Sequence, residues 1–159
     1  MASPRSFFML MPYLEPGTAI HAEDVEAWEK QAGVKIGPGD ALMLRTGRWA
    51  RREKMGPWPV GRNAAGFHAS IAPWMKARGV AFVGSDAASE VTPTMVEGVP
   101  LPVHTPLITA LGIHILDNQD LDRLSDTAAR LKRWEFMLTV APVPVTGGTG
   151  FPVNALATY

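Results

Sequence analysis

The sequence predicts an α/β fold, or an α+β variant of it, and three observations carry that expectation. Apolar runs of strand length recur at Ala41–Arg45, Val80–Gly84 and Ile113–Leu116. Segments with helical spacing separate them, the pattern of strands linked by crossover helices. After Trp134 two further strand-like runs follow with no helix between them, so the end of the chain reads as an antiparallel part.

The elements follow in order. Residues 1–20 hold Pro12, Pro16 and Gly17 and read as irregular. Residues 22–32, "AEDVEAWEKQA", read as a helix. Glu23 and Asp24 stand in its first turn, where the helix dipole favours acids. Val25, Trp28 and Ala32 form its apolar stripe, and Gly33 caps its end. The turn "GPGD" leads into the first strand. Residues 46–66 carry four glycines, two prolines, two tryptophans and five arginines and lysines, and read as one long loop. Residues 69–78 form a second helix closed by Gly79, and the second strand follows. A second long loop covers 85–101. A helix over residues 103–111 stops at Gly112 before the third strand. Residues 120–131 form a short helix, Trp134–Val140 a fourth strand, "TGGTG" a loop, and Val153–Thr158 a last strand.

Bulk properties narrow the function classes. A chain of 159 residues suits one domain with a real core. Hydrophobic residues make up 47%, which argues against disorder. Lys+Arg and Asp+Glu are both 15, so no basic surplus points to nucleic acid. No stretch reaches a membrane span; the apolar run Phe7–Met11 is too short. With no cysteine, thiol nucleophiles, disulfides and thiolate metal sites are excluded, and any metal must be held by His, Asp, Glu or water. These features suggest a soluble, cytoplasmic protein.

The polar residues gather at one sheet edge. A helix of about nine residues is about 13 Å long at its usual rise. The strand after it retraces about the same distance. His104, opening the helix, and Asp117, closing the strand, therefore reach the same edge. Asp86 follows the second strand, and Arg45, Thr46 and Arg48 follow the first. His104 and Asp117 are candidate metal ligands; the competing reading is a helix cap and a turn residue. Asp86 and Arg45 are candidate substrate contacts. Trp49, with Trp58 among the arginines of the first loop, either lines a pocket for a planar substrate or packs the loop. Trp28 and Trp74 read as helix-face core residues. His21 stands at a helix start, His68 precedes a helix it could cap, and His114 sits within a strand. "GGTG" lacks phosphate-loop spacing and precedes a strand, so nucleotide binding is discounted.

Four stretches, "GDALMLRTGRW", "GVAFVGSDAASE", "LPVHTPLITALGIHILDNQDLDRL" and "GGTGFPVN", resemble in this order the later part of the cyclase family of metal-dependent hydrolases, which includes the kynurenine formamidases. The resemblance covers residues 13–159, while 1–12 look like a non-family start. It implies a swivelling β/β/α arrangement, incomplete on the N-terminal side. It implies a divalent metal, zinc or manganese, that activates water to cleave amide, ester or related acyl bonds. An arylformamidase-like activity would belong to tryptophan catabolism. By resemblance the His of "PVH" and the acid before "N-x-D-L" are metal-site residues, here His104 and Asp117; many members have Glu at the second position. The family's principal metal motif, two histidines four apart with an aspartate two further on, is absent from this chain. A catalytic zinc commonly takes three protein ligands and a water. The expectation is therefore a truncated, inactive hydrolase, a non-catalytic interaction module, or a site completed by a second copy or a complementing chain.

Overall fold

A computed structural model describes residues 12–159; the expected non-family start falls, but for Pro12, outside them. Its elements are β1 (Ala19–Ile20), α1 (Ala22–Ala32), β2 (Ala41–Leu44), α2 (Arg48–Met55), β3 (Gly66–Phe67), α3 (Ile71–Arg78), β4 (Phe82–Ser85), a π-helical turn (Pro106–Ala110), β5 (His114–Leu116), α4 (Asp122–Leu131), β6 (Met137–Thr139) and β7 (Leu156–Thr158). The described strands form three sheets, ordered β1-β3, β2-β4-β5 and β6-β7.

The central sheet is parallel. Leu42 lies opposite Val83, which lies opposite Ile115. Helices return the chain between these strands, so β2, β4 and β5 all point their C-terminal ends the same way. Beneath them Phe67, Ile71, Met75, Val83, Val103 and Leu107 are wholly buried and form the centre of the core.

α1 starts at His21, whose extended backbone donates its N–H to Asp24 at 2.9 Å, and ends on Gly33 in the left-handed region at φ 70°. Only glycine takes that conformation without strain. α1 and α3 are tied by charge as well as packing. Buried Glu29 accepts from the Ile36 N–H at 2.6 Å and pairs with Arg78 at 3.2 Å, and Arg78 also bonds the Ile36 carbonyl.

The loop expected over 46–66 contains a helix, α2. It has no local side-chain cap, since Gly47 stands at its N-cap. Its free N–H groups are satisfied instead by the carboxylate of Asp86, at 2.8 Å from Gly47 N and 3.1 Å from Arg48 N. A cap some forty residues away in sequence leaves no local signature. The helix expected over 103–111 is realised around the π-helical turn, with Gly112 at φ 65° ending it. β1 and β3 lie in stretches expected to be irregular; two residues are too few to show a strand period. The fourth and last strands shorten to three residues each and pair antiparallel, Leu138 opposite Ala157.

Candidate active site

The turn that opens at His104 and the end of β5 bring the two predicted residues into contact. His104 Nε2 lies 2.8 Å from Asp117 Oδ2. The other face of the imidazole is held by a residue that sequence reasoning missed: His104 Nδ1 bonds Glu90 Oε2, and the His104 backbone N–H donates to Glu90 Oε1 at 3.4 Å. Glu90 comes from the long loop after β4, where nothing in the local pattern marks it. The loop is drawn to this place by Gly66. A Cβ there would collide with the backbone of Ser89 and Glu90, so glycine permits β3 to lie against them. Phe67 N donates to Ser89 O at 2.7 Å across the same contact.

A hydroxyl chain supports the acid. Ser89 Oγ donates to Asp117 Oδ1 at 2.7 Å, and Ser85 Oγ accepts from Ser89 N at 2.9 Å. Ser89 sits at φ 57°, a conformation that turns its neighbours Ala88 and Glu90 about it. The exposures are asymmetric: the Glu90 side chain is 1% exposed, His104 18% and Asp117 35%. Solvent reaches the pair from the Asp117 side. The hydrogen bonds to Asp117, then Glu90, raise the His104 pKa to about 10 against the opposing effect of burial. With both ring nitrogens facing carboxylates, the imidazole is an imidazolium that donates to each.

Asp86 is fully buried, and its carboxylate accepts from Thr46 N, Thr46 Oγ1, Gly47 N and Arg48 N. Four donors occupy both oxygens, which accounts for the residue as the cap of α2 and leaves no oxygen for a substrate. Arg45 donates to Asp122 Oδ1 at 2.6 Å at the start of α4. It lines a cleft of about 1020 Å³ between β2, α1, α4 and β6, and none of Glu90, His104 and Asp117 lines that cleft. Trp49 donates its indole N–H to Gln119 O at 2.9 Å, with the Arg48 guanidinium 4.3 Å from its ring. Arg48, rather than Arg45, reaches the turn beyond β5, where it bonds Asn118 Oδ1.

A metal can be tested against the donor set. Two ligands held at the usual 2.0–2.1 Å around a tetrahedral ion stand about 3.3 Å apart. His104 Nε2 and Asp117 Oδ2, at 2.8 Å, need to part by about half an ångström to meet that. The Glu90 bond on Nδ1 is the outer support that metal-bound histidines ordinarily have. Glu90 and Asp117 bond opposite ring nitrogens, so Glu90 does not complete the set from its present position. Among the described residues no group of three or more His, Asp or Glu is placed to hold an ion. The pair fits two positions of a coordination sphere and no more, and an ion there would take the place of the proton on Nε2.

The site thus belongs to an α/β protein with an acid–imidazole–acid chain at the C-terminal edge of its parallel strands. Residues 11–90, half of the sequence, match the family described as "Putative cyclase", and the chain belongs to that family. His104 and Asp117 lie beyond the matched segment. A crystal structure of a novel cyclase is similar, with 32% identity and a TM-score of 0.77, over 92% of this chain and 48% of that one. A crystal structure of an isatin hydrolase bound to the product analogue thioisatinate is similar in fold, with 24% identity and a TM-score of 0.68, over 90% of this chain and 53% of that one. The chain spans about half the length of these solved relatives. No curated protein matches it.

Proposed function

We propose that this chain is the C-terminal part of a metal-dependent hydrolase acting on amide or related acyl bonds, arylformamidase-like, with His104 and Asp117 as metal ligands. The observation that carries the reading is the 2.8 Å approach of His104 Nε2 to Asp117 Oδ2 with Glu90 behind the ring. A bound zinc or manganese ion would supply a water acidified enough to attack an acyl carbonyl near neutral pH. The chain's own residues do the positioning. Glu90 fixes the ring through Nδ1 and leaves Nε2 directed at Asp117. Ser89 fixes the second oxygen of Asp117 and so sets the direction of the first. Trp49 and Arg48 cover the turn after β5, where a planar acyl substrate would stack. As an isolated polypeptide the chain does not turn over, because two ligands hold an ion too weakly to fix its coordination; a second copy or a complementing chain supplies the rest.

The test is arylformamide hydrolysis, with and without added zinc or manganese, alongside metal content after dialysis. Metal-dependent turnover lost in His104→Ala supports the hydrolase reading and overturns the inactivity of the isolated chain. Metal retained through His104 with no turnover supports the incomplete site. A second reading, a non-catalytic interaction module, is favoured by the lack of a third ligand among the described residues. It is preferred over the first if neither metal is retained at any stoichiometry.

A further inference from the structure

Two other histidines meet at a second place, which uses none of Glu90, His104 and Asp117. β1 and β3 run parallel with Ile20 opposite Phe67. Each strand ends there and hands over to a helix start, so His21 and His68 follow as neighbours at the same edge. The His68 N–H donates to Ile20 O at 2.9 Å and locks that register. Ile20 and Phe67 are buried, at 7% and 0% exposed. Strand alternation therefore turns the next residue of each outward, on one shared face. Their rings stand 4.6 Å apart between centroids, tilted by 38°. Ser70 Oγ lies 3.3 Å from His21 Nδ1 and 2.9 Å from His68 Nδ1. The Ser70 N–H donates to His68 Nδ1 at 3.2 Å, so that nitrogen carries a lone pair and the ring proton sits on Nε2.

We propose that His21, His68 and Ser70 form a cation site for one divalent transition ion of the imidazole-seeking class, zinc, nickel or copper. Ligand atoms that share such an ion at bonds of about 2.0–2.1 Å stand about 2.9–3.4 Å apart, and two imidazoles on one ion have centroids about 4.5–5.3 Å apart. The spacings here fall within both ranges. The ion takes the Nδ1 lone pairs, replacing the Ser70 N–H bond to His68, with the Ser70 hydroxyl and water in the other positions. Glu23 and Asp24 in the first turn of α1 offset the positive end of that helix. The ion would join the starts of α1 and α3, so it acts as a clamp on the fold.

The experiment titrates Zn²⁺ and Ni²⁺ into the full chain carrying His104→Ala, which removes the other candidate pair, and into the same chain with His21→Gln or His68→Gln added. One equivalent should bind in the first, with a rise in Tm, and affinity should fall at least tenfold in each of the others. Substoichiometric Ni²⁺ on the unmutated chain reads the site with no substitution: ring-proton NMR signals of both His21 and His68 should broaden. Binding that survives His21→Gln and His68→Gln overturns the proposal, as does broadening that spares either ring.

Discussion

Asp86 and the Glu90–Asp117 pair stand at the same edge of the sheet, yet the two acid sites differ in what faces them. Both sites follow from parallel strands ending together. Around Asp86 the donors are two backbone N–H groups of a helix start, a further backbone N–H and a hydroxyl, none of which changes charge with pH. Around Glu90 and Asp117 the shared donor is one imidazole, able to carry a proton or give it up. Position at a strand end is thus common to a structural anchor and to a chemical site. The donor inventory separates them: saturation by the backbone makes a cap, and a titratable group between two acids makes a candidate for chemistry.

The largest effect should come from breaking the anchor. Asp86→Ala leaves the N–H groups of Thr46, Gly47 and Arg48 buried without an acceptor and should cost about 3 kcal/mol or more in urea unfolding. Intact stability in that variant would contradict the assignment.

Next in size is the dependence of the histidine site on pH above neutrality. The His104 pKa is about 10 in the folded chain and near the ordinary histidine value of 6.5 when unfolded. A raised folded pKa gives stability that is fully present below 6.5 and is lost as pH rises toward about 10. Unfolding free energy should therefore fall across that window, by an amount on the order of a few kcal/mol. His104→Gln should flatten the curve, and a curve with the same slope in that variant would assign the effect elsewhere.

Gly66→Ala should disturb the two sites unequally. The added methyl meets the Ser89 and Glu90 backbone, and overpacking of that kind costs about 1–3 kcal/mol. Displacing Glu90 should also shrink the His104-dependent part of the pH profile. The Asp86 bonds, which use other residues, should persist and can be followed by exchange protection of the Gly47 and Arg48 amides.

Thr46→Val is the mildest probe. It removes one of four bonds to Asp86 and should cost about 1 kcal/mol. The pH profile should keep its shape, and a change there would mean that the two sites are coupled.

Much of this is readable from residues in order. α1 and α3 follow from apolar spacing and from Gly33 and Gly79, both left-handed at the helix ends. The apolar runs that become β2, β4 and β5 have the length of buried parallel strands, and counting residues from His104 to Asp117 suffices to place both at one edge. α2 is not readable, because Gly47 offers no cap and the capping acid arrives from β4. Glu90 is not readable either. It lies in a loop without period, and its approach to His104 depends on a glycine in another strand. The sequence points to Arg45 as a substrate contact and not to Arg48; pairing with Asp122 takes the first away from the site, and the bond to Asn118 brings the second toward it.

By itself, then, the order of residues determined the succession of helices and strands, the absence of thiol chemistry, and the meeting of His104 with Asp117, because period, chain length and residue type act locally. Only the tertiary structure decided which acids are anchors and which hold the imidazole. Those roles depend on donors contributed from distant segments, and a donor's direction exists only once the backbone has been packed.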